Sequence, residues 1–314
     1  MSKTLRLTAD PDGIARAAAL LGDGALVAFP TETVYGLGAD ARNDQAVAGI
    51  FAAKGRPQFN PLIVHVANRD LAERHVALTG TAARLAEAFW PGPLTLVLPL
   101  RPDAGIAPLV TAGLGTVGIR VPAHPAAQAL LTKFGGPVAA PSANPSGRIS
   151  PTAADHVLAG LDGRIGAVLD DGPCGVGLES TIVGFDETGR ARLLRPGGIT
   201  AEDIAGVLGE RPLPPEAGGK ITSPGQLLSH YAPRGRVRLN ATAPEDGEVM
   251  IGFGPVPGDT SLSESGDLAE AAANLFRMLH LFDTAEAIAV APVPEEGLGA
   301  AINDRLRRAA APRN

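Results

Sequence analysis

The chain is poor in several things, and each shortage excludes something. Its 314 residues include one cysteine, Cys174, so no disulfide forms within the chain, which fits a reducing compartment. Aromatics are 4% of residues, with one Trp and two Tyr, which disfavours a protein that reads single strands by stacking bases. Lys and Arg number 27 against 33 Asp and Glu, a formal net charge of −6. Such a chain as a whole is not built for a phosphate backbone, although a local basic cleft, and with it a direct tRNA contact, stays open. No apolar run reaches the ~20 residues that cross a bilayer. The opening stretch MSKTLRLTADPDG has no apolar signal core. The expectation is a cytosolic protein with no membrane association.

Familiar site signatures are missing too. There is no GxxxxGK[ST] loop, no HExxH, no GxSxG and no Cys/His pairing, so no metal site is expected. GLGAAI, starting at Gly297, resembles half of a dinucleotide fingerprint but lacks the third glycine, and reads as a tight strand-to-helix connection. Cys174, in DGPCGVG, reads as a passive loop thiol.

What is present is ample: 45% hydrophobic residues, 39 Gly and 28 Pro, in a chain long enough for two domains. Residues 1–209 alternate strand-like and helix-like segments. GIARAAALL has helical spacing up to Gly22, read as its C-cap, while ALVAF, LIVHV, TLVLPL, TVGIRV, STIVGF and ARLLR read as strands. Asn43 or Asp44 begins a second helix, and Thr200 caps another. The pattern is α/β, with parallel and mixed sheets both open. Residues 210–236, rich in Pro and Gly, read as a linker long enough to be a lid. Residues 237–314 return to strand and helix patterns, a second small α/β domain.

Polar residues gather just after apolar strands, where open α/β sheets assemble their sites. FPTETVYGLG offers Thr31, Glu32 and Thr33, with Gly36 and Gly38 allowing close backbone approach. AAKGRPQFNPLIVHV places Lys54 and Arg56 on a tight loop suited to a polyphosphate, followed by Asn60 and His65. Arg120, in TVGIRV, alternates with apolar neighbours and needs an anionic partner, either a substrate carboxylate or phosphate or an internal Asp. VAAPSANPSGRISP carries Ser142, Asn144, Arg148 and Ser150, and LESTIVGF with LLRPGGIT carries Ser180, Thr181 and Arg195. Several cations, many hydroxyls and no acid–base dyad suit positioning and charge neutralisation around a nucleotide.

At these residues the sequence resembles the YrdC-type threonylcarbamoyl-AMP synthases in their long, two-domain form. PTETVYGLG, Lys54-x-Arg56, NPLIVHV, WPGPLT, GIRVPAHP, APSAN with Ser142 and Asn144, ESTI and LLRPG carry the likeness, and HYAP and GLGxAIxDRLxRAA extend it through the second domain. The resemblance implies an open, twisted α/β domain with a concave active site and a small Rossmann-like C-terminal domain. It implies an ATP-dependent nucleotidyltransferase that joins L-threonine, bicarbonate and ATP into L-threonylcarbamoyl-AMP and releases pyrophosphate. Mg²⁺ would enter with ATP, and a partner tRNA-modifying system would pass the threonylcarbamoyl group to an adenosine beside the anticodon. By motif, Lys54, Arg56, Asn60, Thr116, Ser142, Ser150, Arg195 and Tyr231 would contact ATP. Thr31, Thr33, His65, Arg120, Ala140 and Ser180 would surround threonine, and Lys54, Arg56, Ser142 and Asn144 would serve the chemistry. Ser229 stands where the family often has lysine. The competing readings are a carbamoyl-adenylate-forming relative, of the kind found in hydrogenase maturation proteins, and an RNA-binding or ribosome-associated protein.

Overall fold

In the computed structural model, residues 3–215 and 229–312 are described. The expected linker segment at 216–228 lies outside them. Ten strands form the larger sheet: β1 (Leu5–Thr8), β2 (Val27–Phe29), β3 (Gly36–Asp40), β4 (Ile63–His65), β5 (Leu94–Pro99), β6 (Thr116–Arg120), β7 (Val138–Ala139), β8 (Ala167–Asp170), β9 (Thr181–Phe185) and β10 (Ala191–Arg195). Their order is β1-β8-β2-β3-β7-β4-β6-β5-β9-β10. The sheet is mixed: β8 runs parallel to β1 and β2, and β4–β6 and β5–β9 are parallel pairs, whereas β3 and β7 run against their neighbours.

The expected strands form because short runs of Val, Ile, Leu and Ala are buried on both faces. Residues 94–98 of β5 and all three residues of β4 are buried. Helix ends follow cap chemistry. The Asn43 side chain accepts from the backbone N–H groups of Gln45 and Ala46, and Thr200 and Asp203 form a reciprocal capping box. Gly22 is not the C-cap of the first helix. That helix, Pro11–Gly22, includes it, and Gly24 takes the left-handed turn at φ +80°.

The second domain carries four parallel strands, β11 (Arg236–Arg238), β12 (Glu248–Gly252), β13 (Thr260–Ser261) and β14 (Ala287–Val290), in the order β11-β14-β12-β13. β13 is two residues long, too short for a sequence pattern to mark, and β1, β3 and β8 of the larger sheet were likewise not expected from the sequence. Two amphipathic helices, Leu268–Leu281 and Leu298–Ala310, complete the domain. Gly299 is required by the turn, since a Cβ there would lie 1.9 Å from the Pro294 carbonyl oxygen. No described helix is long and apolar enough to cross a membrane.

The two domains share apolar packing. Val34, Ile149 and Leu178 of the first join Tyr231 of the linker and Leu275, Phe276 and Ile302 of the second in one buried cluster. Gly177 touches the second domain directly: a Cβ there would sit 2.5 Å from the backbone of Ala272 and Ala273. The linker is pinned at both described ends. Leu213 exchanges backbone hydrogen bonds with Ala191 and Leu193 at the sheet edge, and the Ala232 N–H donates to the Gly147 carbonyl.

Candidate active site

Sheet order determines which loops meet. β3, β7, β4 and β6 are neighbours, so the turn after β2, the loop after β7 and the end of β6 converge. His65 stands opposite Arg120 on one side and Val138 on the other, and Gly36 bridges to Ser142. The loop before β9 and the linker residues His230 and Tyr231 close the space. The result is a cavity of about 50 Å³ lined by Thr31, Thr33, Arg56, His65, Arg120 and Ala140, and further by Ser142, Glu179, Ser180, Arg195, His230 and Tyr231.

The floor is a hydrogen-bonded chain. Arg120 Nη1 donates to Thr33 Oγ1 at 2.8 Å, Thr33 and Thr31 hydroxyls lie 2.7 Å apart, and Thr31 donates to the Val34 carbonyl at 2.7 Å. Because the Thr31 proton goes to that carbonyl, the Thr33 proton goes to Thr31, and Thr33 Oγ1 accepts from Arg120. The arginine also donates from Nε to the Gly92 carbonyl at 3.2 Å, and its Nη2 lies 2.6 Å from Glu32 Oε1. The anionic partner expected for Arg120 is therefore present inside the protein, as a glutamate. Burial alone would raise the Glu32 carboxyl, but the charge and contact of Arg120 outweigh it and hold the group below its usual range.

His65 is buried edge-on to Phe29, with ring centroids 6.1 Å apart. Burial, with the charge of Arg120, pushes its imidazole down to about 3, so it is neutral at physiological pH. Gly38 is explained by packing: a Cβ would meet the Phe29 ring at 2.9 Å and Val138 at 3.0 Å.

Opposite the floor lie the cations. Arg56 follows the helix Asp44–Lys54, whose Gly55 cap takes φ +61°. Its guanidinium donates to the carbonyls of Asn60 at 3.2 Å and Pro61 at 3.0 Å, and burial lowers its pKa to about 10. Arg195 reaches the Ser180 carbonyl at 2.9 Å, and the Ser180 hydroxyl pairs with Thr95 at 2.7 Å. Lys54, Arg56, Arg120, Arg195 and Arg305 are all buried; among the described residues, Glu32 pairs with Arg120, and Glu179 and Asp304 with Arg305. Arg56 and Arg195, with Arg120, turn toward one cavity, an arrangement that suits an anionic ligand.

Five expected residues stand outside the cavity wall. Lys54 Nζ donates to the carbonyls of Ser142, at 2.5 Å, and Asn144. Burial, and then the charge of Arg56, holds its pKa well below the usual lysine value. Asn144 bonds the carbonyls of Pro145 and Arg148, and Ser150 donates to Glu179 Oε1. Asn60 is buried, and its Oδ1 has no hydrogen-bond partner among the described residues. Thr116 begins β6 on the same face as Arg120 but ~13 Å away along the strand.

The residues not foreseen as site members are Glu179, His230 and Arg305. Each lies in a motif that carried the family likeness, ESTI, HYAP and DRLxRAA. Arg305 also leaves a sequence signal of its own, a charge in the apolar stripe Ile302, Leu306 and Ala309. His230 faces Lys54, Arg56, Arg195 and Arg308; burial first and these charges second keep its pKa well below 6.5. Cys174 is buried and pushed up to about 12 by burial, an inert thiol. No group of three or more His, Cys, Asp or Glu suited to a metal occurs among the described residues. The cavity carboxylates are already paired, so these residues form no metal cage of their own.

The fold and site define a mixed-sheet α/β protein with a buried, arginine-lined cavity, closed by a strap from its linker. Residues 19–197 match the family described as Telomere recombination (Sua5_yciO_yrdC), and residues 199–311 match Threonylcarbamoyl-AMP synthase, C-terminal domain. The chain belongs to this Sua5/YrdC family. The Bacillus subtilis protein named Threonylcarbamoyl-AMP synthase is 45% identical over 96% of this chain and 94% of its own length. The Pyrococcus abyssi protein of the same name is 42% identical over 93% of this chain and 92% of its own. The crystal structure of P. abyssi Sua5 complexed with L-threonine superposes with a TM-score of 0.88, at 38% identity, covering 98% of both chains.

Proposed function

We propose that this chain is a nucleotidyltransferase that makes L-threonylcarbamoyl-AMP from L-threonine, bicarbonate and ATP, releasing pyrophosphate. The observation that carries the reading is the gathering of Arg120, Thr33, Ser180, Arg56 and Arg195 around one cavity. The chain also aligns end to end with relatives named for this product.

Arg120 would clamp the threonine carboxylate with N–H groups directed by Thr33 and Glu32. Neutral His65 and the Thr31–Thr33 hydroxyl pair would surround the amino acid's own hydroxyl and methyl, against Ala140. The threonine amine takes up bicarbonate with loss of water, giving a carbamate. A carbamate oxygen then bonds to the α-phosphorus as the bond to the pyrophosphate oxygen breaks. Arg56 and Arg195, with Lys54, Asn60, Thr116, Ser142, Asn144 and Ser150 nearby, would neutralise and orient the phosphates. Mg²⁺ would enter as part of the Mg–ATP substrate and help neutralise the phosphate charge. The cavity is too small for a nucleoside triphosphate as it stands, so Tyr231 and His230 would shift when ATP binds. The product would pass, in the cytosol, to a tRNA-modifying system that acts beside the anticodon.

The test is product formation. The protein with L-threonine, bicarbonate, ATP and Mg²⁺ should yield pyrophosphate and threonylcarbamoyl-AMP by mass spectrometry, and omission of threonine or bicarbonate should abolish both. Pyrophosphate release without threonine would favour carbamoyl-adenylate formation instead.

A further inference from the structure

Arg305 projects from the helix Leu298–Ala310 of the second domain into the first, and it is fully buried. Its Nε donates to Glu179 Oε2 at 3.0 Å, Nη1 to the Pro196 carbonyl at 2.5 Å, and Nη2 to the Glu179 carbonyl at 3.4 Å. Nη1 also lies 3.2 Å from Asp304 Oδ2. The guanidinium sits 5.6 Å from the Tyr231 ring centroid.

Glu179, Pro196 and Tyr231 each line the cavity or adjoin a residue that does. Glu179 lines it and precedes Ser180, whose carbonyl is held by Arg195. Pro196 follows Arg195 directly. The other oxygen of Glu179 takes the Ser150 hydroxyl. One side chain therefore grips the two strand ends that carry Ser180 and Arg195, and backs the aromatic strap that covers them. The close approach of these strand ends is itself tight, since a Cβ on Gly197 would lie 2.4 Å from the Thr181 nitrogen.

We infer that Arg305 is a positioning residue for the reaction, the group through which the second domain sets the geometry of Ser180, Arg195 and Tyr231. Arg305 does not line the cavity and acts through Glu179 and the Pro196 carbonyl. A planar fork with several fixed donors suits this task; a lysine ammonium reaches one or two of the same acceptors without holding their mutual angle. This inference rests on the synthase reading above.

The test uses the full-length chain and compares Arg305→Lys, Arg305→Met, Glu179→Gln and the double variant Glu179→Gln/Arg305→Met. Product formation is measured alongside L-threonine binding by calorimetry and the melting temperature. Arg305→Met leaves Glu179 buried without its partner and is expected to lower both melting temperature and kcat/KM. The double variant removes the stranded charge, so its melting temperature should return to near that of the wild type. Its kcat/KM should stay down, by about a hundredfold for a misplacement on the ångström scale. Arg305→Lys keeps the charge but meets fewer of these acceptors, and it is expected to lose activity even when assayed well below its own melting temperature, where the chain is folded.

A purely structural role predicts the opposite: activity returning with stability in the double variant and full activity in Arg305→Lys. Either result overturns the inference. So does wild-type activity in Arg305→Met assayed below its melting temperature, because Glu179 and Pro196 would then keep their places without it. Absence of product from the wild type would instead count against the synthase reading, and the calorimetric threonine affinities would still report on Arg305.

Discussion

Arg120 and Glu32 form an ion pair at 2.6 Å on the floor of the cavity, with the Arg120 side chain 4% exposed. The arginine is thereby oriented before any ligand arrives, and pre-orientation reduces what binding must spend on ordering. Arg120→Ala leaves Glu32, 15% exposed, without its partner. Breaking a buried pair in this way costs about 3–5 kcal/mol, measured by urea denaturation. In calorimetry the same variant is expected to lose threonine affinity far more than ATP affinity. Equal losses would count against Arg120 as the carboxylate clamp.

Thr33→Val removes the acceptor of Arg120 Nη1 and the donor to Thr31 while keeping the side-chain shape. The expected outcome is a rise in KM for threonine, with ATP binding unchanged and a stability loss of about 1–3 kcal/mol for the unmet donor. An unchanged threonine KM would remove Thr33 from the site.

Tyr231 is buried against Phe276, with ring centroids 5.5 Å apart, in a left-handed backbone conformation at φ +62°. Tyr231→Ala should destabilise the contact between the domains by about 3–5 kcal/mol and weaken nucleotide affinity. Turnover and nucleotide affinity both equal to wild type would refute a lid role for the strap.

Two glycine substitutions should move stability in opposite directions. Gly197→Ala forces a methyl into backbone, 2.4 Å from the Thr181 nitrogen and 2.5 Å from the Glu179 oxygen. It should cost about 1–3 kcal/mol and lower activity through Ser180. Gly206 lies in the helix Ala201–Leu208 with nothing within 4 Å of its would-be Cβ. Gly206→Ala should add about 0.5–1 kcal/mol. Both are read from urea denaturation midpoints.

Histidine burial predicts acid sensitivity. His65 and His280 are each pushed from 6.5 down to about 3, by burial first, and His280 also by the stacked His156 at a centroid distance of 3.8 Å. Their folded forms are neutral, so the unfolded chain binds more protons between those values. Stability is fully present above about 6.5 and is lost as pH falls towards 3, with a slope of up to about 1.4 kcal/mol per pH unit for each histidine. His280→Asn should flatten the pH dependence of the melting temperature in that window. An unchanged slope would exclude His280 as a contributor.

Local features were legible because local chemistry makes them. Apolar runs gave β2, β4, β5, β6, β9 and β10 but not β1, β3 or β8; Asn43 and Thr200 gave the helix starts, and hydroxyls and cations clustered after strands gave part of the cavity. The ion pairs were not, since side-chain partners depend on sheet order. Lys54 reads as a phosphate ligand beside Arg56, yet it is tied to two carbonyls of the loop after β7. Thr116 and Arg120 share one strand and one face, yet they lie at its opposite ends.

By itself, then, the sequence determined the two α/β patterns, the family and the set of side chains that could meet an anionic ligand. Tertiary structure decided which of them meet. It set Glu32 against Arg120 and brought Arg305 from the second domain to Glu179, residues far apart along the chain. No periodicity encodes such pairs. They follow from non-local strand order and from the need of buried charges for partners once water is excluded.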